Sequence, residues 1–172
     1  TEITTASTAT GDKIPQGRIQ GGKQGAISDG QPSARAQLIG EIEAVALNAQ
    51  READRISAKA RIAAARARDN APGHGILYYK NGSRYEGEIV NGQRDGTGVY
   101  YYASGSRYEG QYKDDMRGAL GTYHFAHGDL YQGHFEEGQL SGYGVYTFAD
   151  GTAYLGELFE GTFNGLGMKR TE

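Results

Sequence analysis

Three histidines, His124, His127 and His134, are the side chains most able to do chemistry. Two of them stand three residues apart, and metal ligation would be their chemistry. A zinc or similar centre needs three or four donors at ligand spacing. No carboxylate recurs at that spacing and the chain has no Cys. His124 also takes a place that Tyr101 and Thr147 hold elsewhere in a repeat, and His74 stands alone. The histidines therefore read as turn or surface residues, with no metal site. The carboxylate pairs Glu86/Glu88 and Glu136/Glu137 could do acid–base work only with a buried partner to shift a pKa, and they read as solvated-face charges. The stretches Gly96-Thr97-Gly98 and Gly142-Tyr143-Gly144 match neither a P-loop nor a dinucleotide fingerprint. No Ser-His-Asp or Cys-His arrangement is present to supply a nucleophile. The expectation is a non-enzymatic chain without cofactors.

What is periodic is Tyr-x-Gly, at Tyr85, Tyr108, Tyr131 and Tyr154, each 23 residues after the last. Four 23-residue units fill residues 73–164, and Gly165-Leu166-Gly167 begins a fifth. Such a period marks a repeat architecture. Inside each unit, aromatic and apolar residues alternate with polar ones: Leu77 and Tyr79, Tyr100 and Tyr102, Tyr123 and Phe125, Tyr146 and Phe148. A period of two is a strand signal. Asn81-Gly82, Ser104-Gly105, His127-Gly128 and Asp150-Gly151 supply hairpin turns. Each unit reads as a β-hairpin, with polar links such as residues 91–95 joining successive hairpins. The expected fold is mainly β: an elongated, single-layer antiparallel sheet on which equivalent tyrosines stack into rails. Gly87, Gly110, Gly133 and Gly156 leave gaps that a neighbouring ring can cover, which explains Tyr-x-Gly without a second sheet.

The phased Tyr-x-Gly, Gly-x-Gly and Asp/Asn-Gly elements, clearest in GYGVYTFADGTAYLGEL, resemble MORN (membrane occupation and recognition nexus) repeats over residues 73–167. The resemblance implies a grooved single-layer sheet with a role in scaffolding, protein–protein contact and oligomerisation, and in some members lipid contact. The residue after Tyr-x-Gly-x, often Trp in the family, is Ile89, Tyr112, Phe135 and Leu158 here. Ala119 replaces one glycine of Gly-x-Gly, and Asp115 replaces the glycine of one link. The family's basic links are also lost. Residues 73–172 hold 8 Lys and Arg against 13 Asp and Glu, a formal −5, which an anionic leaflet would repel. Membrane contact through the sheet is not expected, and neither is nucleic-acid binding; peripheral lipid binding is the alternative reading.

Ahead of the repeats the composition changes twice. Residues 1–32 are rich in Thr, Gly, Gln and Ser and read as an extended, low-complexity tail. Residues 33–71 read as one long helix of Ala, Arg, Glu and Gln, capped by Ser33 and stopped near Pro72. Its apolar positions Ile39, Ile42, Ala46, Ala49, Ala53, Ile56, Ala60 and Ala63 alternate spacings of three and four, an a/d seam. That seam fits a coiled-coil or docking helix, a helix lying along its own domain, or a solvated spacer. Residues 72–172 form the sheet. Hydrophobic content is 37%, with 28 Gly and 13 Tyr, which suits a thin fold.

The whole reads as a scaffold subunit for protein–protein assembly, a homo-oligomer or part of an envelope, filament or motor complex. A periplasmic or envelope compartment is favoured slightly over the cytoplasm. The expected partner-binding residues are the aromatic face, Tyr79, Tyr85, Tyr102, Tyr108, Phe125, Tyr131, Phe148 and Tyr154, together with the helix seam. The same aromatic face could instead be the sheet's own minimal core.

Overall fold

The computed structural model describes residues 33–171. The expected tail, residues 1–32, lies outside them. One helix, α1 (Ala34–Arg68), precedes nine strands: β1 (His74–Tyr78), β2 (Arg84–Val90), β3 (Gln93–Tyr101), β4 (Arg107–Lys113), β5 (Met116–His124), β6 (Leu130–Glu136), β7 (Gln139–Thr147), β8 (Ala153–Phe159) and β9 (Thr162–Arg170). They form one antiparallel sheet in chain order from β1 to β9. Ser33 caps the helix, its hydroxyl accepting from the Ala36 N–H at 3.2 Å.

The tightest turns sit where links between hairpins were expected. Asn91-Gly92, Asp114-Asp115, Glu137-Gly138 and Glu160-Gly161 each join two strands with positive φ at both residues, from 46° to 79°. That is the pattern of a two-residue turn whose twist matches the strands. The Asn81-Gly82 type of pair instead lies in broader five-residue connections, closed by Gly82 N–H to Tyr79 O at 3.0 Å and Tyr79 N–H to Ser83 O at 2.9 Å. The chain is therefore a continuous meander, in which links and hairpin loops alternate as equals.

A row of glycines runs across all nine strands: Gly75, Gly87, Gly98, Gly110, Gly121, Gly133, Gly144, Gly156 and Gly167 are successive partners. The Tyr-x-Gly rings lie on that row. A Cβ on Gly98 would come within 2.4 Å of the Tyr85 ring, and one on Gly121 within 2.6 Å of Tyr108. Beyond the row the register slips by a bulge, as between Gly87 and Ile89. The tyrosine hydroxyls donate to carbonyls near those bulges: Tyr85 to Glu88 O at 2.9 Å, Tyr131 to His134 O at 2.9 Å and Tyr154 to Glu157 O at 3.1 Å. Phe could fill the gap but could not satisfy these oxygens, which explains why Tyr recurs. Rings from both sides meet over the glycines, with Tyr85–Tyr112 at 5.0 Å and Tyr108–Phe135 at 5.2 Å.

The helix packs on the opposite face and runs across every strand. Its track is a second cross-strand row: Glu86, Val99, Glu109, Thr122, Gln132, Val145, Leu155 and Met168. Ala46 and Leu47 pack on Val145, Leu155 and Met168, and Ala60 and Ala64 pack on Val99. Between these apolar contacts Gln50 donates to Gln132 at 2.8 Å, Ser57 to Thr122 at 2.6 Å and Arg61 to Glu109 at 2.6 Å. Arg170 pairs with Glu43 at one end and Arg68 with Glu86 at the other. One helical turn rises about 5.4 Å and one strand spacing is about 4.8 Å, so each turn meets roughly one strand.

Glu86, read as solvated, is buried in this interface at 3% exposure, and so is Glu109 at 1%. Each is held by an arginine two residues earlier on its own strand, Arg84 on Glu86 at 2.8 Å and Arg107 on Glu109 at 3.0 Å, and again by a helix arginine, Arg68 or Arg61. Burial pushes the Glu109 carboxyl up, but hydrogen bonds from His124 and Arg107 and the Arg61 charge outweigh it, leaving its pKa at about 2. A depressed carboxylate stabilises the fold above its unfolded pKa of about 4.3 and loses that contribution as pH falls toward 2. Urea denaturation should show stability falling across that window, and Glu109→Gln should flatten the fall; an equally steep acid limb in the variant contradicts the clamp. Gly98→Ala should lower stability by about 1–3 kcal/mol through the Tyr85 clash. Gly40→Ala, where no atom lies within 4 Å of the new Cβ, should raise it by up to about 1 kcal/mol. Denaturation midpoints moving in opposite directions check the pair.

Candidate partner-binding surfaces

The aromatic residues expected to bind a partner fall into two groups. Tyr85, Tyr108 and Tyr131 are fully buried and Tyr154 is 2% exposed, each folded onto its glycines. These four are interior. Phe125 is buried at 4%, while Tyr79, Tyr102 and Phe148 are half-buried and form a wall along the same face. Burial pushes the hydroxyl of Tyr79 up to about 12 and that of Tyr154 to about 12, so both are neutral at physiological pH.

The facing wall came from residues that read only as link positions: Arg94, Arg117, Leu140 and Phe163, again 23 apart. Arg94 stands 5.9 Å from the Tyr79 ring and 4.8 Å from Tyr112; Phe163 stands 5.9 Å from Phe148. The walls are in contact, and the face largely closes over its own rings. Aligning the links at the period would have exposed this row, whose character shifts from cationic at one end to apolar at the other. Asp115, the residue that departs from the glycine of its link, has its reason here. Its φ of 68° is unfavourable for a non-glycine residue, but its carboxylate accepts from Arg94 Nε at 2.8 Å and from the Arg94 N–H at 3.1 Å.

The helix seam is in contact with the sheet of its own chain. Ala46, Ala49, Ala53, Ala60 and Ala63 are buried there, with Ser57, Ala64 and Ala67, and Ile39, Ile42 and Ile56 are half-buried. Small side chains let the helix approach the sheet closely. The other flank of the helix opens a cleft of about 660 Å³ lined by Lys59, Ile62, Arg66, His74, Glu88, Asp95 and Lys113 among others. Its carboxylates are already engaged. Glu88 accepts from the Thr97 N–H and, at 2.9 Å, from the Thr97 hydroxyl, and Asp95 pairs with Lys113 at 2.7 Å. The Lys113 ammonium holds the Asp95 carboxyl below its usual range.

The histidines are spread over separate contacts. His124 lies 3.3 Å from Glu109 and 3.2 Å from Arg107, His127 lies 3.0 Å from Asp129, and His134 Nδ1 is 2.9 Å from Tyr143 O. Among the described residues no group of three metal-binding side chains converges. No helix of the described residues is long and apolar enough to cross a membrane.

No curated protein matches the chain. The family model for the MORN repeat matches four consecutive segments, residues 73–84, 85–107, 108–130 and 131–153. The last three begin at Tyr85, Tyr108 and Tyr131, whose rings cover the glycine row, and the fourth such tyrosine, Tyr154, follows directly on the last segment. MORN repeats are non-catalytic modules of protein or membrane interaction, and this chain is a MORN repeat protein.

Proposed function

We propose that the protein is a non-enzymatic scaffold subunit that assembles with protein partners, copies of itself included, through the long edge of its plate. The observation that carries this reading is where the large apolar side chains remain exposed. Both surfaces expected to bind, the Tyr-x-Gly rail and the alanine seam, are satisfied within the chain. Val90, Met116 and Phe159, each more than half exposed, project instead beside three of the four tight turns, while among the described residues Tyr78, at 77%, stands alone at the opposite edge. Ile62, at 58% exposure, lines the adjoining cleft. A row of exposed apolar side chains along one rigid edge is characteristic of a protein-contact surface. The acidic character of residues 73–172 favours a protein partner over an anionic membrane. A place in an envelope, filament or motor complex is the setting we infer for such a rigid plate.

Multi-angle light scattering over a concentration series tests the self-assembly arm. The protein should exceed its monomer mass of 18.5 kDa, and Val90→Glu, Met116→Glu and Phe159→Glu combined should return it to monomer with unchanged circular dichroism. A monomer at every concentration, together with co-sedimentation on anionic vesicles, would replace this reading with lipid binding.

A further inference from the structure

The repeat supplies an internal control for its own buried arginines. Arg94 and Arg117 occupy equivalent positions 23 residues apart, each beneath aromatic rings on the face opposite the helix. Arg94 is saturated by Asp115, through Nε to Oδ1 at 2.8 Å and Nη2 to the backbone oxygen at 2.5 Å. The residue that Arg117 would need in the same geometry is Gly138, which has no side chain. Arg117 lies 4.8 Å from the Tyr108 ring and 5.9 Å from Phe135, and its Nη1 is buried without a hydrogen-bond partner. The ionisable groups that act on it most strongly are tyrosines, Tyr102 first, then Tyr112, Tyr108 and Tyr123. Ring faces attract the cation but cannot replace an anion on a fixed guanidinium fork. The next two units avoid the difficulty by placing Leu140 and Phe163 there.

We infer that Arg117, with half-buried Tyr102 opposite it, is a subsite for a carboxylate of a partner polypeptide, an Asp or Glu side chain entering the aromatic wall from solvent. Arg117 as a residue is partly exposed while its Nη1 is buried, so an entering carboxylate must part the aromatic wall to reach that nitrogen. The chain itself shows which anion fits, because the equivalent Arg94 holds a planar carboxylate. The net negative charge of residues 73–172 opposes a polyanion but leaves room for one locally neutralised carboxylate. The site lies on a different surface from the apolar turn edge and does not depend on it.

The test uses the full chain and follows arginine side-chain Nε–H resonances during titration with sodium acetate or inorganic phosphate at constant ionic strength. Arg117 should shift and saturate with acetate, and Arg94, already paired, should not. The blocked tripeptide acetyl-Phe-Asp-Leu-amide should shift it at lower concentration than acetate, and its Asn counterpart should not. Phosphate binding more tightly than acetate would overturn the carboxylate assignment in favour of free or lipid phosphate. An Arg117 resonance unmoved by every probe would overturn the subsite altogether. Stability gives a second reading. Arg117→Leu, the residue the third unit carries, should raise the urea midpoint and abolish the acetate response, whereas Arg94→Leu should lower the midpoint by stranding Asp115. If both variants lower it alike, Arg117 is a core residue and the proposal fails.

Discussion

A single antiparallel sheet has two faces and no interior, so each face needs its own means of excluding water. In this protein the two faces use opposite means. On one, large rings close over a row of glycines, which keeps the cover within the sheet itself. On the other, a helix of small residues lies across a row of mixed side chains. Each arrangement depends on residue size: Tyr fits only because Gly stands beneath it, and the helix comes close because its contact residues are Ala and Ser. Enlarging either component removes the space the other occupies.

The helix track shows how a weak apolar seam becomes a specific one. Alanine layers bury little area each, which would leave the helix free to slide by a turn along a uniform sheet. The row beneath it is not uniform. Val145 and Leu155 sit under Ala46, Thr122 meets Ser57, Glu109 meets Arg61 and Glu86 meets Arg68. A slip of one turn would put Arg61 over Thr122 or over Val99 and leave buried Glu109 to Arg107 and His124 alone. Glu86 and Glu109 would each lose one of their cationic partners at the same slip, a loss that uniform alanine layers do not impose. Register is thus set by a few polar pairs and strengthened by many small apolar contacts.

Much of this was legible in the sequence, and what was missed has a common cause. Alternation and a 23-residue period identify strands, sheet and Tyr-x-Gly packing, because those depend on neighbours close in the chain or one period away. Ser33 marked the start of the helix for the same reason. The burial of Glu86 and Glu109 follows from the helix that covers them; Arg84 and Arg107 stand two residues earlier in each repeat, but Arg68 and Arg61 come from a segment outside it, so no periodic argument could find those two. Which pairs form the tight turns was misjudged because Asn-Gly chemistry is present at both ends of a strand; Asp accepts positive φ less readily than Gly, and at Asp115 that conformation is held by Arg94. The wall of Arg94, Arg117, Leu140 and Phe163 was present in the sequence at constant spacing, but its changing chemistry disguised it as a variable link.

In an ordinary repeat array each unit touches only its neighbours, and its ends can fray independently. A helix in contact with all nine strands changes that, since terminal and central strands share one element. It also acts as a ruler. Between Glu43 and Arg68 the helix rises about 38 Å, against about 34 Å for the strand spacings from β9 to β2. The number of repeats that can be braced is therefore written in helical turns. Lengthening the array by one unit requires about two more turns of α1, so sheet and helix can only have grown together.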